Sequence, residues 1–323
     1  MGIDLTALEP QQISRNLKGK FIFVYGEAKI GKTSLASELE KVLIASFEMG
    51  SNALHNVYVA PVRTWSDWKD MIRQLTRNKN NLNEKFNTIA IDTVDEAYKL
   101  CEKWVCNQNG VESLKDIPWG GGYKILDDEF SSTLRELAFS GYGLFFISHS
   151  KEKTYKNDAG EEYIKIVPAL PERPFNIVNK MVDIIGYVRQ IPIQIGEEIE
   201  QKRYLFLRGD DRFHAGSRFK YIEPKIELSY NNLVNAIYSA IDKEVAENGG
   251  TTTENENPYI TNNFDVLMED AKQLWNKATI NDKVNDVLKI LEEEFGKPIR
   301  FSEITANQID ELSNVIARIK DIV

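Results

Sequence analysis

Apolar positions follow two different patterns along the chain. Residues 20–25 (Lys20-Phe21-Ile22-Phe23-Val24-Tyr25) form a nearly continuous apolar run, and similar runs recur at 42–47, 88–91 and 144–147. Runs of this kind predict strands buried on both faces, as in parallel sheets. The stretches between them are longer and helix-like, so strand and helix alternate. That order predicts an α/β fold built on a mostly parallel central sheet. Beyond about residue 160 the pattern changes: residues 184–188 and 203–207 read as strands joined by polar connectors, and they are expected to extend the sheet by antiparallel pairing.

Residues 246–262 (AENGGTTTENENPYITN) hold almost no apolar side chains and predict a flexible linker. After it, Phe264, Leu267, Ala271 and Leu274 fall at helical spacing, as do Val284, Val287, Leu288 and Leu291, then Ile309, Leu312, Val315, Ile316 and Ile319. The expected organisation is an N-terminal arm (1–16), an α/β core (17–245), the linker, and an all-helical domain (263–323). Thr305-Ala306-Asn307-Gln308 fits a capping box opening the last helix.

Composition narrows the classes. The chain has 323 residues, of which 42% are hydrophobic and 28% charged, as in an ordinary globular protein. No stretch approaches the ~18 to 20 uninterrupted apolar residues of a spanning helix, and the opening MGIDLTALEPQQISRN lacks the plan of a signal peptide, so no membrane partner is expected. Cys101 and Cys106 are five apart in a helical stretch and point in different directions, as free thiols do. A net charge of −9 repels phosphate backbones overall, so any nucleic-acid contact has to be a local patch.

The strongest chemical signal is Gly26-Glu27-Ala28-Lys29-Ile30-Gly31-Lys32-Thr33, followed by Ser34. It lies between an apolar strand and a helix, the context in which such a loop wraps phosphates with its backbone N–H groups. In this pattern Lys32 reaches the β- and γ-phosphates of ATP and Thr33 ligates Mg2+. The metal also needs a carboxylate at the end of a neighbouring strand, which Asp92 supplies; its alternative role is to cap the helix beginning at Val94. Glu48 follows the second strand, where it can orient a water against the γ-phosphate. His149, in Ser148-His149-Ser150 at the end of the fourth run, is a candidate phosphate sensor. Adenine stacking is open to His55 or Trp65. Just beyond His149, Lys151, Lys153, Tyr155 and Lys156 interleave cations with an aromatic ring in a mobile-looking stretch, the mix that tracks a nucleic-acid backbone and stacks on bases; Glu152, Asp158, Glu161 and Glu162 dilute its charge.

These four elements in this order resemble the core of RecA-fold ATPases. Pro118-Trp119-Gly120-Gly121-Gly122-Tyr123, a helix, then Gly143-Leu144-Phe145-Phe146-Ile147-Ser148-His149 is similar to phage-encoded AAA-type nucleotide-binding proteins of the Sak superfamily, over residues 17–245. The resemblance implies ATP-dependent handling of single-stranded DNA, by annealing or strand exchange, in a ring or filament in the bacterial host cytoplasm. It also implies that Arg218 reaches a neighbouring subunit's nucleotide, although Gly216 stands where lysine is usual. The helical domain falls outside the resemblance and is expected to serve self-association or to dock a single-strand-binding or regulatory protein. The competing expectation is a nucleotide-switched binding module with little ATP turnover; a small-molecule phosphotransferase fits poorly, because no arginine-rich lid follows the core helices.

Overall fold

The computed structural model describes residues 12–15, 17–50, 54–76, 82–253, 264–305, 308–320 and 322. In chain order the elements are β1 (Ile13–Ser14), β2 (Phe21–Gly26), α1 (Lys32–Ser37), β3 (Val42–Ser46), β4 (Tyr58–Pro61), α2 (Trp65–Thr76), α3 (Leu82–Lys85), β5 (Thr88–Asp92), α4 (Val94–Gln108), α5 (Gly122–Phe139), β6 (Gly143–Lys156) and β7 (Glu162–Pro168). They continue with α6 (Glu172–Met181), β8 (Ile184–Ile195), β9 (Glu198–Phe206), β10 (Gly216–Ser217), β11 (Lys225–Glu227), α7 (Tyr230–Asn248), β12 (Thr252–Thr253), α8 (Phe264–Ile280), α9 (Val284–Phe295) and α10 (Ile309–Lys320).

The apolar runs become strands because alternate residues serve opposite faces. Phe23 and Tyr25 of β2, Ile89 and Ile91 of β5, and Leu144 and Phe146 of β6 bury against α2, α4, α5 and α6, where Trp65, Trp68, Phe130 and Leu134 pack. Their neighbours Ile22, Val24, Ala90, Phe145 and Ile147 face the other way, onto Leu35 and Ala36 of α1 and Leu233, Ile237 and Ile241 of α7. Helices thus cover both faces, as a parallel sheet requires.

The sheet order is β11-β9-β8-β2-β6-β5-β3-β4, with β10 joined to β8 and β7 to β6. From β8 to β4 every pairing is parallel, and β9 and β11 add antiparallel strands beyond β8. This is the RecA-like P-loop fold, with the strand that feeds the loop lying between β6 and β8.

Several expectations are corrected. Ile184 joins the sheet parallel to β2, paired with Ile22, because α6 carries the chain back across the sheet before β8 begins. The helix after the phosphate loop is short, and the chain turns at Lys41, whose φ is 48°, straight into β3. At the expected linker, α7 runs to Asn248 and Thr252–Thr253 pairs with Ile13–Ser14, so the arm also contributes a strand; residues 254–263 and 1–11 lie outside the described residues. Helices α8, α9 and α10 bury a separate apolar cluster around Ala271, Leu291, Leu312 and Ile316. The Gln308 side chain accepts a hydrogen bond from the Thr305 N–H at 3.1 Å, one half of the expected capping box, whose two middle residues lie outside the described ones. No helix among the described residues is long and apolar enough to cross a membrane.

Candidate nucleotide site

Parallel pairing brings the carboxyl ends of β2, β3, β5 and β6 to one edge. Gly26 is in register with His149, Ser46 with Asp92, and Asp92 with Ile147. Ligands bind at this edge of open α/β sheets.

The phosphate loop begins where β2 stops. A Cβ on Gly26 would stand 2.7 Å from the Val188 carbonyl oxygen, so only glycine leaves the strand there without displacing β8. Glu27, Ala28 and Lys29 form the exposed rim, Ile30 is buried as the loop's anchor, and Ser34 lies exposed on the first turn of α1. Gly31 turns the chain with φ of 108°, which a side chain disfavours. Lys32 is buried and its Nζ donates to the carbonyls of Gly26 (2.9 Å) and Glu27 (2.6 Å). Burial lowers the Lys32 pKa, against the raising effect of Asp92, Asp95, Glu48 and Glu27.

Thr33 Oγ1 donates to Asp92 Oδ2 at 2.8 Å. Asp92 is therefore directed at the loop, while the cap of α4 is Thr93, whose hydroxyl accepts from the Glu96 N–H. Burial raises the Asp92 pKa, the Thr33 hydrogen bond opposes this, and the Glu48 charge adds to it. The donor set fits magnesium nucleotide: a hydroxyl and a carboxylate already share one point, and a buried ammonium is held over the loop. ATP would lie in the loop against Lys32, with magnesium at Thr33 and Asp92.

Glu48 is turned inward by Ser46, whose hydroxyl donates to the Glu48 carbonyl at 2.6 Å. Its Oε1 accepts from Thr93 Oγ1 at 2.7 Å and lies 3.2 Å from His149 Nε2. His149 and Glu48 are each about one-third exposed, so both remain open to the site. The two candidates named separately in the sequence thus form one hydrogen-bonded pair.

Asp95 was not foreseen. It is buried in the first turn of α4 and accepts from Ser148 Oγ (2.7 Å) and the His149 N–H (2.8 Å), fixing the backbone that presents the imidazole. Burial raises its pKa and those two hydrogen bonds oppose the shift. A carboxylate near the start of a helix looks like a dipole partner in sequence, and no local signal ties it to residue 149. Asp95→Asn puts an amide N–H group against one of these donors, so it is expected to destabilise the fold by about 1–3 kcal/mol and to slow turnover through His149. Thermal unfolding together with ATPase rates checks this.

The lysine-rich stretch is ordered, contrary to expectation. Residues 150–156 of β6 pair antiparallel with 162–168 of β7, forming a hairpin that leaves the edge next to His149. Register puts Lys151, Lys153 and Tyr155 on one face together with Val167, Lys165 and Tyr163. The Tyr155 and Tyr163 rings stack at 5.8 Å, and Lys153 lies 5.2 Å from the Tyr155 centroid. Glu152 and Glu162 face the other way with Lys156, whose Nζ is 3.4 Å from Glu162. Glu152 and Glu162 therefore lie off the basic face, on which Lys153 pairs with Glu172 at 3.3 Å; Lys156 does not belong to that face, and Tyr163 and Lys165 do. Only the pairing register could have shown this.

Arg218 lies at the opposite end of the sheet. Its backbone N–H and guanidinium bind the Asp183 carbonyl (2.8 Å) and carboxylate (3.1 Å), and Asp183 in turn pairs with Phe21 at the start of β2. Trp65 is also corrected: it is buried against Trp68 and Phe130, with Nε1 donating to Glu129 at 2.8 Å, and cannot stack on adenine. His55 is exposed.

Among relatives, the SPbeta prophage-derived uncharacterized protein YorG of Bacillus subtilis (strain 168) is 27% identical over 329 residues, spanning 100% of this chain and 99% of that protein. The flagellar accessory protein FlaH from Methanocaldococcus jannaschii is similar at 12% identity and a TM-score of 0.32, over 58% of this chain and 77% of that one. Residues 18–219, which take in β2 and Arg218, match the AAA domain family AAA_24, and the chain, with its phosphate loop, Asp92 and Glu48 on one sheet edge, belongs to that family of nucleotide-binding proteins.

Proposed function

We propose that this protein is a phage-derived, Mg2+-dependent ATPase that assembles into a ring or filament in the host cytoplasm, binds single-stranded DNA and promotes its annealing or strand exchange. The observation that carries this is the path of β6: one strand runs from the nucleotide edge at His149 directly into the basic, aromatic face of the hairpin.

The residues divide the work as follows. Lys32 neutralises phosphate charge, and Thr33 with Asp92 holds the metal, which when bound offsets charge on the β- and γ-phosphates. Glu48, anchored by Thr93, orients the attacking water and accepts its proton. His149 touches Glu48 through its ring and reaches the hairpin through its backbone, where the Ala169 N–H donates to its carbonyl at 2.7 Å. A shift of Glu48 towards substrate therefore changes the hydrogen bonding at the root of the hairpin. There, Lys151, Lys153 and Lys165 track the phosphate backbone while Tyr155 and Tyr163 stack on bases.

The Sak-superfamily resemblance, the relationship to a prophage protein and the RecA-like core support this function. The helical cluster serves as the docking unit for a single-strand-binding or regulatory protein; a groove of about 890 Å³ lined by Met268, Trp275, Leu288 and Phe301 with Lys272 and Arg300 supports that role. Arg218, engaged within its own subunit, favours a second reading in which nucleotide switches binding with little turnover.

The test is anisotropy of labelled single-stranded DNA. Tyr163→Ala and Tyr155→Ala are expected to cost about 1–3 kcal/mol each, the worth of one stacked base, and Lys165→Ala to flatten the salt dependence, whereas Lys156→Ala changes neither. Equal losses for Lys156→Ala and Lys165→Ala would remove the hairpin face from the proposal.

A further inference from the structure

The β8–β9 hairpin delivers a cation to the phosphate loop that the loop motif does not contain. Arg203 of β9 lies opposite Gln190 of β8, two residues before Leu205, which is opposite Val188. Leu205 and Val188 are buried on the α1 face of the sheet, so by strand alternation Arg203 projects to that same face, at the carboxyl edge. Its Nη1 lies 3.5 Å from the Ile30 carbonyl oxygen, and a Cβ on Gly31 would stand only 2.6 Å from that nitrogen. The guanidinium therefore rests directly on the backbone of the loop.

Arg203 is exposed, and among the described residues it forms no ion pair. Several cations elsewhere are paired: Lys202 next to it is 3.6 Å from Glu227, Arg173 pairs with Asp127, Arg212 with Asp210 and Arg318 with Glu293. Arg208 lacks a carboxylate but is capped by the carbonyls of Ser217, Phe219 and Lys220. An exposed guanidinium that rests on the loop through one long contact has most of its donors to offer, and its planar fork matches a phosphate.

We propose that Arg203 is a further nucleotide-binding residue, acting within its own subunit and contacting the phosphate chain of the nucleotide held by the loop. The proposal rests on the nucleotide site described above and adds a part to it. One consequence is that bound phosphate ties the β8–β9 hairpin to α1, so the antiparallel extension of the sheet senses whether the site is filled. Arginine is needed because its fork can hold the phosphate while it spans the Gly31 surface; a lysine at this position offers a single point charge.

The test is competition by ATP, ADP and adenosine against a fluorescent ATP analogue, in Mg2+ and without DNA. Wild-type protein is compared with Arg203→Ala, Arg203→Gln, Arg203→Lys and Lys32→Ala, with melting curves for each. Arg203→Ala and Arg203→Gln are expected to bind ATP and ADP at least ~10-fold more weakly, the worth of one charge-assisted hydrogen bond, with adenosine competition unchanged and Arg203→Lys intermediate. Wild-type affinity for ATP in both Arg203→Ala and Arg203→Gln overturns the proposal, as does an equal loss for adenosine. If Lys32→Ala also binds ATP normally, the nucleotide site itself is refuted, a result distinct from failure at Arg203 alone.

Discussion

Lys32→Ala protein is expected to lose ATP binding and turnover together, by at least ~100-fold, the usual cost of removing a preorganised charge from a phosphoryl-transfer site. The loss arises at the site and not through unfolding. Lys32 is buried over two loop carbonyls, and burial lowers its pKa, so its charged form is disfavoured by the fold. That penalty is present at neutral pH and is relieved only as pH rises through the lowered pKa. Removing the ammonium relieves that penalty and takes a donor from the Gly26 and Glu27 carbonyls, two opposing effects, so the protein is expected to stay folded with no large change in melting temperature. Parallel measurement of nucleotide affinity, turnover and thermal unfolding checks all three, and full turnover in a folded Lys32→Ala protein would contradict the site.

Glu48→Gln separates binding from chemistry. Glutamine keeps an oxygen for the Thr93 hydroxyl, which is 2.7 Å from Glu48 Oε1, so the side chain stays in place. It cannot accept a proton from water, and turnover is expected to fall by about 10²–10⁴-fold while ATP affinity holds. Single-turnover hydrolysis beside equilibrium binding makes the distinction. A parallel fall in affinity would mean that Glu48 shapes the loop instead of activating water.

Much of this architecture is legible in the chain because its signals are local. A continuous apolar run is a buried strand wherever it pairs, and a glycine-rich loop between strand and helix has few other uses, so β2, β3, β5, β6 and the residues from Gly26 to Ser34 follow from spacing alone. Asp92 and Glu48 follow from position at strand ends. What escaped detection depends on pairing between distant segments. Asp95 reaches Ser148 and His149 from another element, Lys165 and Tyr163 join Lys151, Lys153 and Tyr155 only through the β6–β7 register, and Arg203 meets Gly31 across two strands. The same limitation misplaced Trp65, whose position after Glu48 suggested a ligand although packing against Phe130 makes it core. It also hid the cis partner of Arg218, because Asp183 stands 35 residues earlier in the chain.

Coupling between the nucleotide edge and the hairpin is tested most directly by steady-state ATP hydrolysis of the wild-type protein in Mg2+, titrated with single-stranded DNA. Turnover is predicted to rise with DNA to a plateau, and the rise to disappear in Tyr155→Ala/Tyr163→Ala protein while basal hydrolysis persists. Hydrolysis that is identical with and without DNA, in protein shown to bind ATP, would contradict it.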